Sequence, residues 1–334
     1  MAVTPRQRFK SALHKRRLDV VPGFEIEFQL YREYGGGMPV VGFDFEKLSP
    51  KEKDLAHGRN AEIMLRAAAA CHHDGLKDIG EYWDVGPGHP ALLWFPTMED
   101  RVAHVRALRR EAGDDCYVFA TVYLPLSIPF FGDMTAYSLQ LYDEPEVIHA
   151  KAEQLLQTAL ESQKRLLDAG ADGVLNDCDV AFNSNPFLSP AMMDDVFFPY
   201  LKRWAQATHD MGVECVWHSD GNLMPLMNGI LDSGIDGLHC IDPFAGMDVA
   251  RLLDQTEGRL TLIGNMSGLV IHTGTPEENY KEATRILEQA VATGKEGYIF
   301  SSCNTIIEEM PKENYDAVIQ ARLDFNKRMQ AAQK

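Results

Sequence analysis

Apolar positions in the second half of the chain fall into two alternating registers. Residues 152–170 (AEQLLQTALESQKRLLDAG) carry apolar side chains at helical spacing and end on Gly170, a helix-stop residue. The short Val/Leu-rich run 172–179 (DGVLNDCD) follows and predicts a buried strand. The pattern then repeats. Ser189-Pro190 opens a predicted helix running to about Met211, and VECVWHSDG (213–221) is the next strand. LMPLMNGILDSG, LHCIDP (238–243), MDVARLLDQTEG, LTLIGNM (260–266), a helix from Pro276 to Thr293 and EGYIFSSCN (296–304) complete the series. Apolar strands separated each time by a helix imply parallel pairing with right-handed crossovers.

Five strand–helix repeats occupy this half, and VVPGFEIEF (20–28), GLKDIGEYW (75–83) and CYVFATVYL (116–124) supply three more strands. Eight strands favour an α/β fold of the (β/α)8 TIM-barrel type, as one domain over residues 1–334. The alternative is an open doubly wound sheet, but no G-x-G-x-x-G follows any strand. Two connections, about 29–60 and 84–100, are rich in Gly, Pro and aromatics and are expected to cover the C-terminal mouth. At the N-terminus, Thr4 and Pro5 mark the cap and first position of an amphipathic helix.

Composition narrows the function classes. Of the 334 residues 45% are hydrophobic and 24% charged, the balance of a globular domain. The net charge of −17 argues against nucleic-acid binding, which rests on Lys and Arg. No apolar run is long enough to span a membrane, and none follows the basic N-terminus as in a secretory signal. The expectation is therefore a cytoplasmic protein. The six cysteines form no C-x-x-C pair and are expected to be free thiols.

In such a barrel, chemistry collects at the C-terminal ends of the strands. That rule selects Glu25 and Glu27; Asp78, Glu81 and Asp84; Tyr123; Asp177, Cys178 and Asp179; His218 and Asp220; His239, Cys240 and Asp242; Asn265; and Cys303, Glu308 and Glu309. Strand periodicity puts His218 and Asp220 on one face, and likewise Asp177 and Asp179. It allows at most one of His239 and Cys240 to face the interior. An imidazole with a thiolate suits zinc, so His218 and Cys303 are the leading metal ligands. Asp220, Cys240, His239, Asp177, Asp179 and Glu308 are open as the third. A hydrogen-bonded core histidine and a buried structural thiol are the plain alternatives. His72-His73, near the end of a helical stretch, is expected to serve as a helix-end cap.

The segments TPRQRFKSALHKRRLDVVP, GADGVLNDCD, LSPAMMDDVFFPYLKRW, WHSDGNLMPLMNGILDSGIDGLHCIDP, LIGNM and GYIFSSCN resemble, in order, those of the uroporphyrinogen decarboxylase superfamily. That superfamily includes zinc- and cobalamin-dependent methyltransferases. The resemblance implies the (β/α)8 fold. The decarboxylase's Arg-rich segment near the first strand is represented here by EIEFQLYREYGGG, with Arg32 alone. The methyltransferase branch has a His-x-Cys motif and a distal Cys on zinc. His218 and Cys303 match, and Asp220 stands where the nearer Cys is expected.

The resemblance thus implies zinc on His218, Cys303 and Asp220, with Asp220, Asp179, Asp177 and Tyr123 as catalytic candidates. It implies methyl transfer from a methylated small molecule, such as an aromatic methyl ether, to cob(I)alamin on a partner corrinoid protein. Aromatic residues Tyr82, Trp83, Tyr123 and Phe182 are candidates for a pocket wall. A metal-independent decarboxylase or lyase of a small acid, and a non-enzymatic corrinoid-protein partner, are the competing readings. A homodimer is compatible with all three.

Overall fold

The expected alternation is present in the computed structural model, which describes residues 3–81, 93–124 and 134–332. The seven paired strands of the main sheet are β1 (Gly75–Lys77), β2 (Tyr117–Val122), β3 (Gly173–Asp177), β4 (Glu214–His218), β5 (Gly237–His239), β6 (Thr261–Met266) and β7 (Tyr298–Ser302). Helices α1 (Pro5–Leu13) and α2 (Pro50–Ala70) precede β1. One principal helix then follows each strand: α3 (Met98–Ala112), α4 (Pro145–Asp168), α5 (Phe198–Asp210), α6 (Met227–Ser233), α7 (Val249–Thr256), α8 (Pro276–Ala292) and α9 (Lys312–Ala332). Helix starts follow local chemistry. Thr4, Ser49 and Thr275 each form a reciprocal capping box, with Pro at the first helical position. The helix expected over Ser189–Met211 breaks at Phe197, because Pro199 has no N–H to continue the earlier segment Pro190–Val196.

All seven strands are parallel and pair in sequence order, with no reversal of the kind that creates the crevice of a doubly wound sheet. The sheet is curled. Tyr117, Phe119, Leu175, Val216, Ile263 and Ile299 meet on its concave side with Phe24, Ile26 and Phe9 of α1, all buried. Phe9 stacks on Tyr117 with ring centroids 5.0 Å apart, so α1 plugs the end where the strands begin.

The eighth strand expected at 20–28 does not pair as a regular strand. Gly23 and Phe28 make single parallel bridges, to Phe300 and Ile306. Pro22 has no N–H to donate, and the Gly23 N–H is taken by the Asp74 side chain at 2.9 Å rather than by a ladder carbonyl. This segment still touches both neighbours. Phe24 N donates to the Phe300 carbonyl, and Asp74 N to the Gly23 carbonyl.

Three Asp-Gly pairs open β1, β3 and β5. The backbone N–H groups of Asp74, Asp172 and Asp236 donate to the carbonyls of Gly23, Val118 and Cys215 at 2.8, 2.8 and 2.9 Å. Their carboxylates accept the N–H of those same three residues, each at 2.9 Å. Each Asp thus clamps the start of one strand to the preceding segment. Asp172 is neutralised by Arg6 and Arg109, and Asp74 by Arg8 with Arg322 nearby. Asp236 has His209 instead. The glycine after Asp172 has a steric cause: a Cβ there would lie 2.2 Å from the Tyr117 hydroxyl.

The connection at 29–49 forms two short helices, Tyr31–Tyr34 and Gly42–Glu46, the first of which packs on α2. No described helix is long and apolar enough to cross a membrane.

Candidate functional site

The strand ends opposite α1 bring the predicted carboxylates around one imidazole. Asp177 ends β3 and His218 ends β4, and the two are register partners. His218 Nε2 lies 3.8 Å from Asp177 Oδ1, 3.7 Å from Asp179 Oδ1 and 3.7 Å from Asp220 Oδ1. Strand periodicity therefore worked for both pairs, 177/179 and 218/220. Asp179, His218 and Asp220 each offer a ligand atom within 4.8 Å of the others. Asp220 N donates to Asp179 Oδ1 at 2.7 Å, which fixes the turn after β4. Asn304 Nδ2 donates to Asp220 Oδ2 at 2.6 Å. Among the described residues, the buried Asp220 Oδ1 has no hydrogen-bond partner.

Charge and burial compete here. Burial opposes a charged His218, but Asp177, Asp220 and Asp179 together outweigh it and raise its pKa. Burial, with Asp220 and Asp177 nearby, lifts the Asp179 carboxyl to about 6 against the pull of His218. Asp220 is also raised, chiefly by burial.

Behind His218 runs a buried polar chain. His218 Nδ1 meets His239 Nδ1 at 2.7 Å, and His239 Nε2 meets Ser301 Oγ at 3.2 Å. One proton lies between the two Nδ1 atoms, donated by one ring and accepted by the other. His218 Nε2 is then left to face the carboxylates. Burial, together with His218, holds His239 well below the ordinary imidazole range, hence neutral.

Glu25 continues the chain. It accepts from Ser301 Oγ at 3.4 Å, Ser302 N at 3.0 Å, the Ser302 hydroxyl and Tyr315 Oη at 2.9 Å. Burial lifts its carboxyl to about 7 despite those donors. Tyr315 also meets His73 Nε2 at 2.8 Å. His73 is thus a half-buried partner of Tyr315 rather than the helix-end cap expected; desolvation of its ring lowers its pKa to about 3.

The thiols lie alongside. Cys303 is buried just beyond β7, its N–H donating to the Met266 carbonyl at 2.8 Å. It is outside the compact Asp179–His218–Asp220 group. Cys240 lies against both the Asp220 carboxylate and the Cys303 thiol, and so connects them. The expectation that only one of His239 and Cys240 faces inward is overturned. β5 ends at His239, and Ile241 has φ 59°, so the extended alternation does not continue and both side chains reach the site.

Other expected residues have separate duties. Asp78 pairs with Arg101 at 2.6 Å, both buried, and Glu27 pairs with Lys77 at 3.2 Å. Asp242 Oδ1 accepts from Phe244 N, Asn265 Nδ2 donates to the Met247 carbonyl, and Glu308 pairs with Arg32 at 2.8 Å. Glu309 is exposed. Cys178 is buried, its carbonyl accepting from Trp217 Nε1 at 3.0 Å. Tyr123 is partly exposed near Lys77 and Asp177. Phe182 packs on Phe187. Glu81 sits in a short parallel pair, Gly80–Glu81 with Trp94–Phe95. Tyr82, Trp83 and Asp84 lie outside the described residues.

Sequence reading missed Lys77, Ser301 and Ser302. Lys77 is buried at the end of β1, where burial opposes its charge but Glu27 and Asp177 prevail and raise its pKa. A lysine inside an otherwise apolar strand, GLKD, was the available signal.

Two sequence relatives and one solved structure bear on this site. The chain is 28% identical over 224 residues to a protein named uroporphyrinogen decarboxylase from Anaeromyxobacter sp. (strain Fw109-5). It is 26% identical over 226 residues to one of the same name from Anaeromyxobacter dehalogenans (strain 2CP-C). Each match covers 65% of this chain and 61% of the relative, so the matched part is less than two thirds of those proteins. Its fold is similar to that of a methyltransferase from Methanosarcina mazei, with TM-score 0.74 at 17% identity, covering 97% of this chain and 99% of that one. The profile of the family described as uroporphyrinogen decarboxylase (URO-D) matches residues 100–325, a span that includes β2–β7 and the three aspartates around His218. The chain therefore belongs to the URO-D family.

Proposed function

We propose that the chain is a methyltransferase that moves a methyl group from a methylated small molecule to cob(I)alamin on a separate corrinoid protein. An aromatic methyl ether is the donor class that the proposal favours. The carrying observation is the donor set around His218 Nε2: three carboxylates within 3.8 Å, one of them with a buried oxygen that takes no N–H or O–H and has only the Cys240 thiol against its carboxylate. An unpartnered buried acceptor costs roughly 1–3 kcal/mol, which a bound cation would offset.

The residues fit a divalent ion. His218 Nε2 and Asp220 Oδ1 would hold it, with Asp179 or Cys303 as third ligand, a mixed set that suits zinc. Bound there, the ion supplies Lewis acidity toward an oxygen leaving group. The chain's own residues do the rest. His239 fixes the orientation of His218. Where Cys303 completes the ligand set, Asp179 is left free beside the ion to hold a proton for the departing oxygen. Tyr123, partly exposed and within the electrostatic reach of Asp177, would border the substrate.

The same geometry disfavours a polycarboxylate substrate, which would meet Asp177, Asp179 and Asp220, while Arg32 is engaged by Glu308. A second reading, metal-free decarboxylation or lysis of a small acid, draws on the raised pKa of His218 and the value near 6 for Asp179.

Metal analysis and a donor screen test both. The expected result is about one equivalent of zinc at the mouth, reduced by His218→Ala and Asp220→Ala. Methoxyarenes or methylamines should convert reduced cob(I)alamin on a corrinoid protein to its methylated spectrum. Full activity after metal removal favours the second reading. Corrinoid-protein binding with no methyl transfer from any donor overturns the enzyme reading.

A further inference from the structure

The three Asp-Gly clamps at the plugged end of the sheet share one backbone pattern and differ in what neutralises the aspartate. Asp172 and Asp74 have arginine partners, which satisfy a carboxylate without needing anything else. At Asp236 the partners are His209, at 2.8 Å, and the Cys215 thiol. His209 Nε2 and Cys215 Sγ are 3.7 Å apart. The three ligand atoms lie within 4.8 Å of one another.

We propose that His209, Cys215 and Asp236 form a second divalent-metal site, of zinc type, that ties the end of α5 to the starts of β4 and β5. In tetrahedral coordination, zinc–nitrogen and zinc–sulfur bonds of about 2.0 and 2.3 Å place those two atoms about 3.5 Å apart. The observed 3.7 Å is close to that edge. Asp236 Oδ2, now hydrogen-bonded to His209, needs to open by about half an ångström to complete a face. The side chain of His209 is 37% exposed, which gives the ion an entry path and a water for the fourth position. Cys215 is buried, and burial holds its thiol well above the ordinary range. A metal-bound Cys215 would be a thiolate, its proton released to solvent on binding. Cys215 also points away from the mouth: β4 alternation puts Val216 and His218 on the concave side and Cys215 and Trp217 toward the helices. Three residues of strand, about 10 Å, separate it from His218. The two sites are thus independent.

Cobalt(II) is the probe, because a thiolate ligand gives it a charge-transfer band in the near ultraviolet. In a Cys240→Ala/Cys303→Ala chain, which lacks the two thiols beside Asp220, cobalt(II) should still produce that band, saturating at one equivalent. Cys215→Ser should abolish the band, and His209→Gln should weaken cobalt(II) affinity at least about tenfold. In the otherwise unaltered chain, His209→Gln should lower bound cobalt by one equivalent and leave the mouth site filled. A double variant, folded by circular dichroism, that shows no thiolate band overturns the proposal. So does a band indifferent to Cys215→Ser, or an unchanged stoichiometry in His209→Gln.

Discussion

Strand β4 joins two clusters with nearly the same residue types and opposite degrees of satisfaction. At its start, Cys215 and Asp236 exchange a closed pair of backbone and side-chain hydrogen bonds, and the parallel clamps at Asp74 and Asp172 are closed by arginine. At its end, three carboxylates crowd one imidazole and the buried Asp220 Oδ1 goes unpartnered. A fold needs the first arrangement. The second opposes stability and is kept where something else is to be bound. Residue type alone does not separate the two: at the start an ion would add to a backbone clamp already made, and at the end it would supply a partner that is missing.

The comparison predicts a graded set of outcomes. The largest effect should come from opening a satisfied clamp. Asp172→Ala leaves Arg6, Arg109 and the Val118 N–H without their acceptor, and should cost about 3–5 kcal/mol in denaturant unfolding.

Glu25 should give a pH dependence of the opposite sign to that of an ordinary paired carboxylate. Its pKa rises from 4.5 to about 7, so the folded chain holds this proton more tightly than the unfolded one. That stabilisation is complete below about pH 4.5 and is lost as pH rises through about 7, a change of about 3 kcal/mol. Glu25→Gln should flatten this slope between pH 5 and 7.5, followed by unfolding at fixed intervals.

At the mouth, Asp220→Asn should raise stability by about 1 kcal/mol by relieving like-charge repulsion, while lowering metal affinity at least about tenfold. A loss of stability instead would place Asp220 among the closed clamps. Arg32→Ala removes only an exposed pair and should change unfolding by less than about 1 kcal/mol.

The helix–strand alternation was legible because each strand is short, apolar and bounded by Gly or a cap. Carboxylate convergence on His218 was legible too, since a period of two places 177 with 179 and 218 with 220. What failed were the points where regular geometry stops. Segment 20–28 matched a strand in composition, yet Pro22 and the Asp74 side chain interrupt its ladder and leave only single bridges. Cys240 was placed by extrapolating β5 one residue past its end. The polar chain from His218 through His239 and Ser301 to Glu25 joins residues far apart in sequence, and no local pattern announces it.

The bridge between Gly23 and Phe300 has a consequence for how the chain reaches this state. The seven strands pair strictly in the order of synthesis, so each can dock on its predecessor as it leaves the ribosome. The Gly23 segment can meet Asp74 early. Its other side must wait for β7, because its partner Phe300 is made long after it, once all the other paired strands have been synthesised. Until then β6 offers an open edge, and the nascent chain is exposed to mispairing with a neighbour on the same message.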